Sequence, residues 1–216
     1  PESGPNRHRM PYPRQPIVIA GGILSFPTGY SSMRSALQKL TELPVSIVEV
    51  HGYDWLTSAK PSGWVPLLRK LDDAVCGAVG DSKTGYVTLV CHSAGGLVGR
   101  LYVSPEPFLG QAYQGSSCVD HLITLSSPHY YQRTSIHGGW LPGWLHQHYP
   151  DNYFSPRVRY TSVAGKLIRG DSGGTARERL AYGLYRELGG NGDVWGDGLV
   201  PVDCALLSGS RQLVLE

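Results

Sequence analysis

Short unbroken runs of apolar, β-prone residues, each followed by a segment with helical spacing, constrain this chain more than any other feature. PIVIAGG, residues 16–22, is apolar on consecutive positions and closes on two glycines. Such a run predicts a strand covered on both faces, because an edge or half-exposed strand would alternate. SSMRSALQKLTEL follows, with Met33, Leu37, Leu40 and Leu43 near helical spacing and Pro44 as a stop. VSIVEV (45–50), YVTLVC (86–91), HLITLSS (121–127), RYTSVAG (159–165) and RQLVLE (211–216) read as further strands. WVPLLRKLDDAVCGAV (64–79), AGGLVGRLYV (94–103) and ARERLAYGLYREL (176–188) read as helices, the last with Leu180, Leu184 and Leu188 as its expected buried stripe. Strands alternating with helices predict right-handed crossovers and an α/β fold, a mostly parallel sheet with helices on both faces. Ligands of such sheets bind outside the carboxyl ends of the strands, where Gly21, Gly22, Ser93 and the turn after Ser126 fall.

With 216 residues the chain is long enough for one such domain and short for two. A net charge of +2 is too mild to imply nucleic acid or an anionic membrane as partner, and no apolar run approaches the ~18 residues of a transmembrane segment. Cys76, Cys91, Cys118 and Cys204 are scattered without a C-x-x-C pair, which predicts reduced thiols. Proline- and arginine-rich residues 1–15 predict a flexible lead-in, leaving 16–216 as a single domain. Within it, the aromatic stretch 130–156 is a candidate lid or cap over a ligand site, or else a packed surface loop.

The run VTLVCHSAGG, residues 87–96, carries the chemistry. A serine on a sharp strand-to-helix turn has its hydroxyl raised above the sheet, and the tight approach of strand and helix demands small residues two positions to either side. Gly95 meets that demand, and Cys91, though small, departs from glycine. His92 and Gly95 are thus expected to support an elbow that presents Ser93 as nucleophile. RGDSGG, residues 169–174, spells a protease-like nucleophile motif in the wrong surroundings. Ser172 is expected to sit in a loop whose serine or threonine caps the following helix.

A serine nucleophile needs a base, and the base an orienting carboxylate. Asp197, in the glycine-flanked loop DVWGDGLVP, is the first candidate for the acid; Asp193 and Asp203 are rivals. Every histidine lies upstream of Asp197, and His129, in LSSPH at a strand end, is the least implausible base among them. The backbone N–H of Ala94, just after the nucleophile, is expected to form one half of an oxyanion hole.

CHSAGGLVGRLY, LITLSSPH, RYTSVAGKLIRG and DVWGDGLVPVDCALLSG together resemble the lipase-like α/β-hydrolases of plants and cyanobacteria, over most of the chain from Pro16 onward. The resemblance implies an α/β-hydrolase fold, with Ser93 as nucleophile, Asp197 as acid and the N–H of Ile23 as the second oxyanion donor. It makes the histidine of LSSPH structural, and places the catalytic histidine just after the strand matching RQLVLE. That turn would fall past Glu216, so the expectation is a chain truncated at its carboxyl end. The implied activity is hydrolysis of apolar or lipid acyl esters through an acyl-enzyme, with no metal or organic cofactor. Thioesterase, acyltransferase or amidase chemistry would use the same residues, and a non-catalytic binding protein of the same fold is the alternative. A cytoplasmic or plastid location is likewise implied by the resemblance alone.

Overall fold

Six parallel strands form the centre of the molecule. The structure is a computed structural model that describes residues 15–23, 25–131 and 140–216. The strands are β1 (Ile17–Ala20), β2 (Val45–Ile47), β3 (Val87–His92), β4 (Val119–Leu125), β5 (Arg159–Gly165) and β8 (Arg211–Leu215), and their order across the sheet is β2-β1-β3-β4-β5-β8. Between them run α1 (Ser31–Thr41), α2 (Val65–Gly80), α3 (Gly95–Tyr102), α4 (Gly115–Cys118) and α5 (Trp140–His148). β6 (Ile168–Arg169), α6 (Ala176–Gly189), β7 (Trp195–Gly196) and α7 (Val202–Ala205) lie between β5 and β8, and β6 pairs antiparallel with β7. Among the described residues no helix is long and apolar enough to cross a membrane.

Alternate residues of the central strands feed two cores, which is why the runs are apolar throughout. Val18, Ala20, Leu89, Cys91 and Leu122 pack with Leu68, Leu71 and Val75 of α2 and Leu97 and Leu101 of α3. Ile17, Ile19, Val45 and Val90 face the other way, toward Tyr30, Met33 and Leu37 of the α1 segment. The register Ile19↔Val90↔Ile123 keeps that second face in line across three strands. Each fully buried Leu, Ile or Val contributes on the order of 1.5–3 kcal/mol, so both faces resist exposure.

Four expectations shift. Gln15 is not part of a lead-in: it is buried, and its amide nitrogen bonds the Thr88 hydroxyl at 3.1 Å and the Asp120 carboxylate. The rest of the expected lead-in lies outside the described residues. β2 ends at Ile47 rather than Val50, although Val48 still donates to the Ile19 carbonyl at 2.8 Å. The buried stripe of α6 is Ala181, Tyr185 and Leu188, and Leu180 is exposed. Tyr185 sets that phase, because its hydroxyl donates to the Ile168 carbonyl and accepts the Gly198 N–H at 2.7 Å.

The fourth concerns residues 130–156. Residues 132–139 lie outside the described residues, and the remainder is built into the body of the domain. Leu141, Leu145 and Tyr149 of the α5 segment join the main core, and the buried Arg100 of α3 donates to the Tyr149 carbonyl at 2.8 Å. The buried face of α5 is Leu141, Pro142 and Leu145, and its Trp140 and Trp144 are half-buried against the same core.

RGDSGG is the lead-in to α6, as its surroundings predict. Thr175 is the N-cap and Glu178 completes a capping box, while Ser172 is exposed. Replacing such a cap costs about 1 kcal/mol. Thr175→Ala is therefore expected to lower Tm by about 2–4 °C in a thermal melt. Ser172→Ala should leave the melt unchanged; a larger loss at Ser172 than at Thr175 would contradict the capping assignment.

Candidate active site

Ser93 follows directly on β3 and has φ of 54°, a left-handed conformation rare for a residue with a side chain. Holding it there costs on the order of 1–3 kcal/mol, and the surroundings fix it. Its N–H donates to the Leu125 carbonyl at 2.9 Å, extending the β3–β4 ladder one step into the turn. The N-terminus of α3 then closes against β1: a Cβ at Gly95 would stand 2.6 Å from the Gly21 carbonyl oxygen and 2.8 Å from that of Ala20.

Cys91, the departure from glycine, is accommodated from the opposite side. Its Sγ fills the space where a Cβ at Gly99 would lie, at 2.7 Å, so the glycine that lets helix and strand approach has moved onto α3. Burial pushes the Cys91 thiol far above the usual cysteine range, so it is an inert packing group.

Gly22 brings the loop after β1 against the nucleophile. A Cβ there would lie 2.6 Å from Ser93 Cβ and 3.0 Å from Ser93 Oγ. A 2.6 Å hydrogen bond from the Ser25 hydroxyl to the Gly22 carbonyl, and a 3.2 Å bond from the Ser25 N–H, close the turn that carries Ile23. The N–H groups of Ile23 and Ala94 have no hydrogen-bond partner among the described residues. Nor does Ser93 Oγ.

Tyr30 ties this corner together and was invisible to motif reasoning. Its buried hydroxyl accepts the Gly22 N–H at 3.3 Å and stands 2.8 Å from His92 Nδ1, with the two rings edge to face. A Cβ at Gly21 would collide with the Tyr30 ring at 2.6 Å. With the hydroxyl donating, His92 is neutral with its proton on Nε2. Burial lowers the His92 pKa, and the charge of Asp197 opposes that shift, so the acid candidate acts electrostatically on the elbow.

Asp197 lies on the turn after β7, against the end of β5, where a Cβ at Gly165 would meet its Cβ at 3.1 Å. One carboxylate oxygen accepts the N–H groups of Leu199 and Val200, each at 2.8 Å. Only that oxygen is engaged by described residues. Asp193 instead pairs with Arg169 on the surface, and Asp203 is exposed in the first turn of α7.

His129 is excluded as the base. It is fully buried, its Nε2 lies 3.0 Å from the Thr124 hydroxyl, and its backbone N–H donates to the Cys204 carbonyl at 2.8 Å. Burial, with the charge of Arg100, holds its pKa well below the ordinary value. His121 lies beside the Thr161 hydroxyl at 3.0 Å, with its pKa lowered by burial to about 4. His8 and His137 lie outside the described residues. No group of carboxylates, histidines and cysteines able to hold a metal occurs among the described residues.

The six-stranded parallel sheet and its helices are similar to the structure of a lipase from Bacillus licheniformis, BlEst2 in its mature form. The TM-score is 0.57 at 19% identity, over 97% of this chain and 86% of that one. The chain has the α/β-hydrolase fold. More distant likenesses include an acetylxylan esterase (TM-score 0.41, 12% identity, 57% of this chain and 67% of that one). The RedJ thioesterase of Streptomyces coelicolor stands at TM-score 0.41 and 13% identity, over 72% of each chain. No protein-family model and no curated protein sequence matches this sequence.

Two outcomes test this geometry. Tyr30→Phe removes the donor that favours neutral His92, so the His92 pKa followed by imidazole NMR is expected to rise; an unchanged titration would mean the bond does not persist in solution. Imidazole NMR should place the His129 titration well below the ordinary histidine range, because burial and the charge of Arg100 disfavour its protonated form. Below its ordinary pKa the unfolded chain binds a proton that the folded chain excludes, so stability falls as pH drops. Urea unfolding is therefore expected to read a lower stability at pH 5 than at pH 7, with His129 contributing in that direction. Equal stability at the two values would overturn the assignment.

Proposed function

We propose that the protein is a serine hydrolase of carboxylic esters with apolar acyl groups, acting through an acyl-enzyme on Ser93. The observation that carries this reading is the juxtaposition at Ser93. A serine in a strained left-handed backbone has Gly22 against its side chain, and the N–H groups of Ile23 and Ala94 have no partner among the described residues. Two backbone donors aimed at developing oxyanion charge stabilise the transition state by about 3 kcal/mol each.

In this reading Ser93 Oγ bonds to the ester carbonyl carbon as its proton passes to a base, and Ile23 and Ala94 hold the resulting oxyanion. Collapse expels the alcohol, which takes up the proton, and water then releases the acid by the same steps. Asp197 orients the base; the described residues do not themselves present an imidazole bonded to Ser93 Oγ. Exposed Ile23, Phe26 and Leu199 lie on the loops that carry the site, which favours an apolar acyl group over a charged one. Kinship with the plant and cyanobacterial lipase-like group rests on the sequence motifs alone.

A fluorophosphonate with an alkyl chain tests the reading without presupposing a substrate. Mass spectrometry is expected to place the adduct on Ser93 and none on Ser172, with labelling abolished in Ser93→Ala. Asp197→Asn should slow labelling and ester turnover by orders of magnitude, about 10⁴ where a triad acid is lost, without altering the melt. An adduct on Ser172 would refute the assignment. Binding of the alkyl chain without any adduct would identify a non-catalytic binding protein.

A further inference from the structure

A cavity of about 290 Å³ opens at the end of α3 away from Ser93. Leu101 lines it, six residues past Gly95, which places it about 9 Å along the helix from the elbow. Four aromatic side chains, Phe108, Trp140, Trp144 and Tyr149, line it together with one carboxylate, Glu106. Trp144 is the hub of the rings. The Phe108 ring meets it at 6.0 Å and 78°, and the Tyr149 ring at 5.5 Å and 84°. His148 stacks on the same indole at 4.2 Å, and Phe108 and Tyr149 are themselves buried, so packing holds the rings. The carboxylate is held as well. The Tyr149 hydroxyl donates to Glu106 Oε2 at 2.9 Å, and the Glu106 N–H donates to the Ser104 hydroxyl at 3.0 Å. Glu106 Oε1 has no hydrogen-bond partner among the described residues, and no lysine or arginine is among those lining the cavity.

We propose that this cavity binds a trimethylammonium group, of the kind that choline carries. A cation gains from aromatic rings within about 6 Å, and more so with a carboxylate beside them. A primary ammonium would exchange three hydrogen bonds to water for one free carboxylate oxygen, and the shortfall would oppose its entry. A methylated nitrogen has no N–H to satisfy, and its methyl groups bury apolar surface against the rings. The volume lies near the ~300 Å³ lower end of ligand pockets, which suits a compact head group rather than a long chain.

Such a group occurs on free cations and on lipid head groups. Glu106 favours the free cation, because the phosphate of a head group would stand near a carboxylate and be repelled. Glu106 is also exposed, so its attraction weakens as salt is added, while the contribution of the rings does not.

The test is calorimetric titration of the intact protein with choline chloride and with 3,3-dimethyl-1-butanol, which has the same shape without the charge. Choline is expected to bind saturably, and the neutral analogue about tenfold more weakly or less tightly still. Glu106→Gln keeps an acceptor for the Tyr149 hydroxyl, so it should weaken choline about 3- to 10-fold without altering the melt or the neutral analogue. In NMR spectra of the unaltered protein, choline should move the indole N–H signals of Trp140 and Trp144. The signal of Trp195, exposed on β7, should stay in place. Equal affinity for the two probes would overturn the proposal, as would choline that does not saturate or that shifts Trp195 and leaves Trp144 unmoved. Vesicles of phosphatidylcholine separate the sources. No cosedimentation is expected for a site that takes the free cation, and cosedimentation relieved by choline would assign the same group to a lipid. None of these readouts depends on the activity assigned to Ser93.

Discussion

The left-handed turn at Ser93 is the constraint around which the rest of the domain is arranged. A serine with φ of 54° is unfavourable in isolation, and it is held by contacts on three sides. From below, its N–H is captured by the Leu125 carbonyl of β4. From the helix side, Gly95 lets α3 press onto the carbonyls of Ala20 and Gly21. From above, Gly22 folds over it so closely that a methyl group there would overlap the serine side chain. Each contact requires either a missing Cβ or a parallel strand neighbour, so the sheet order and the glycines are two parts of one solution.

That arrangement also explains how an elbow can tolerate Cys91. The steric demand falls on the pair of positions facing each other across strand and helix, rather than on one of them. Gly99 supplies on α3 the space that glycine at position 91 would have supplied on β3. Gly96 performs the same service one turn earlier, where a Cβ would collide with Ser127 Oγ. Polar groups behind the elbow are handled differently, by burial with partners or by loss of charge. His129 is neutral beside Thr124, and Arg100 spends its guanidinium on the carbonyl that ends α5. This second layer has the character of a scaffold, in which burial disfavours the charged form of His129.

Much of this was legible in one dimension. Strand positions followed from runs such as IVIA and VTLVC, because a strand between two helical layers needs apolar residues on both faces. Ser93 could be preferred to Ser172 because its setting, strand before and helix after, is a local property. The choice of Asp197 over Asp193 was open in the sequence, and the contrast became physical only when Asp193 appeared on the surface paired with Arg169. Less legible was anything depending on which side of an element meets its neighbour. The stripe of α6 was misphased by one residue because Leu180 and Ala181 both fit helical spacing, and Tyr185 decided between them through two hydrogen bonds to distant backbone. The aromatic stretch 130–156 left lid and packed loop open for the same reason: composition does not say whether Trp and Tyr face solvent or a helix.

What the sequence determined by itself is the alternation of strand and helix, the parallel sheet that alternation forces, and the position of a small-residue turn at its carboxyl edge. Those depend on periodicity and on glycine sterics, which act between residues a few positions apart. Only the tertiary structure decided that Tyr30 bonds both Gly22 and His92, that Gly99 compensates for Cys91, and that His129 is a buried structural group. The partners in the first two cases are eight or more residues apart, and the third depends on burial from several elements at once. Such contacts are set by the register of strands and the approach of helices, so they come into being only when the whole sheet has closed.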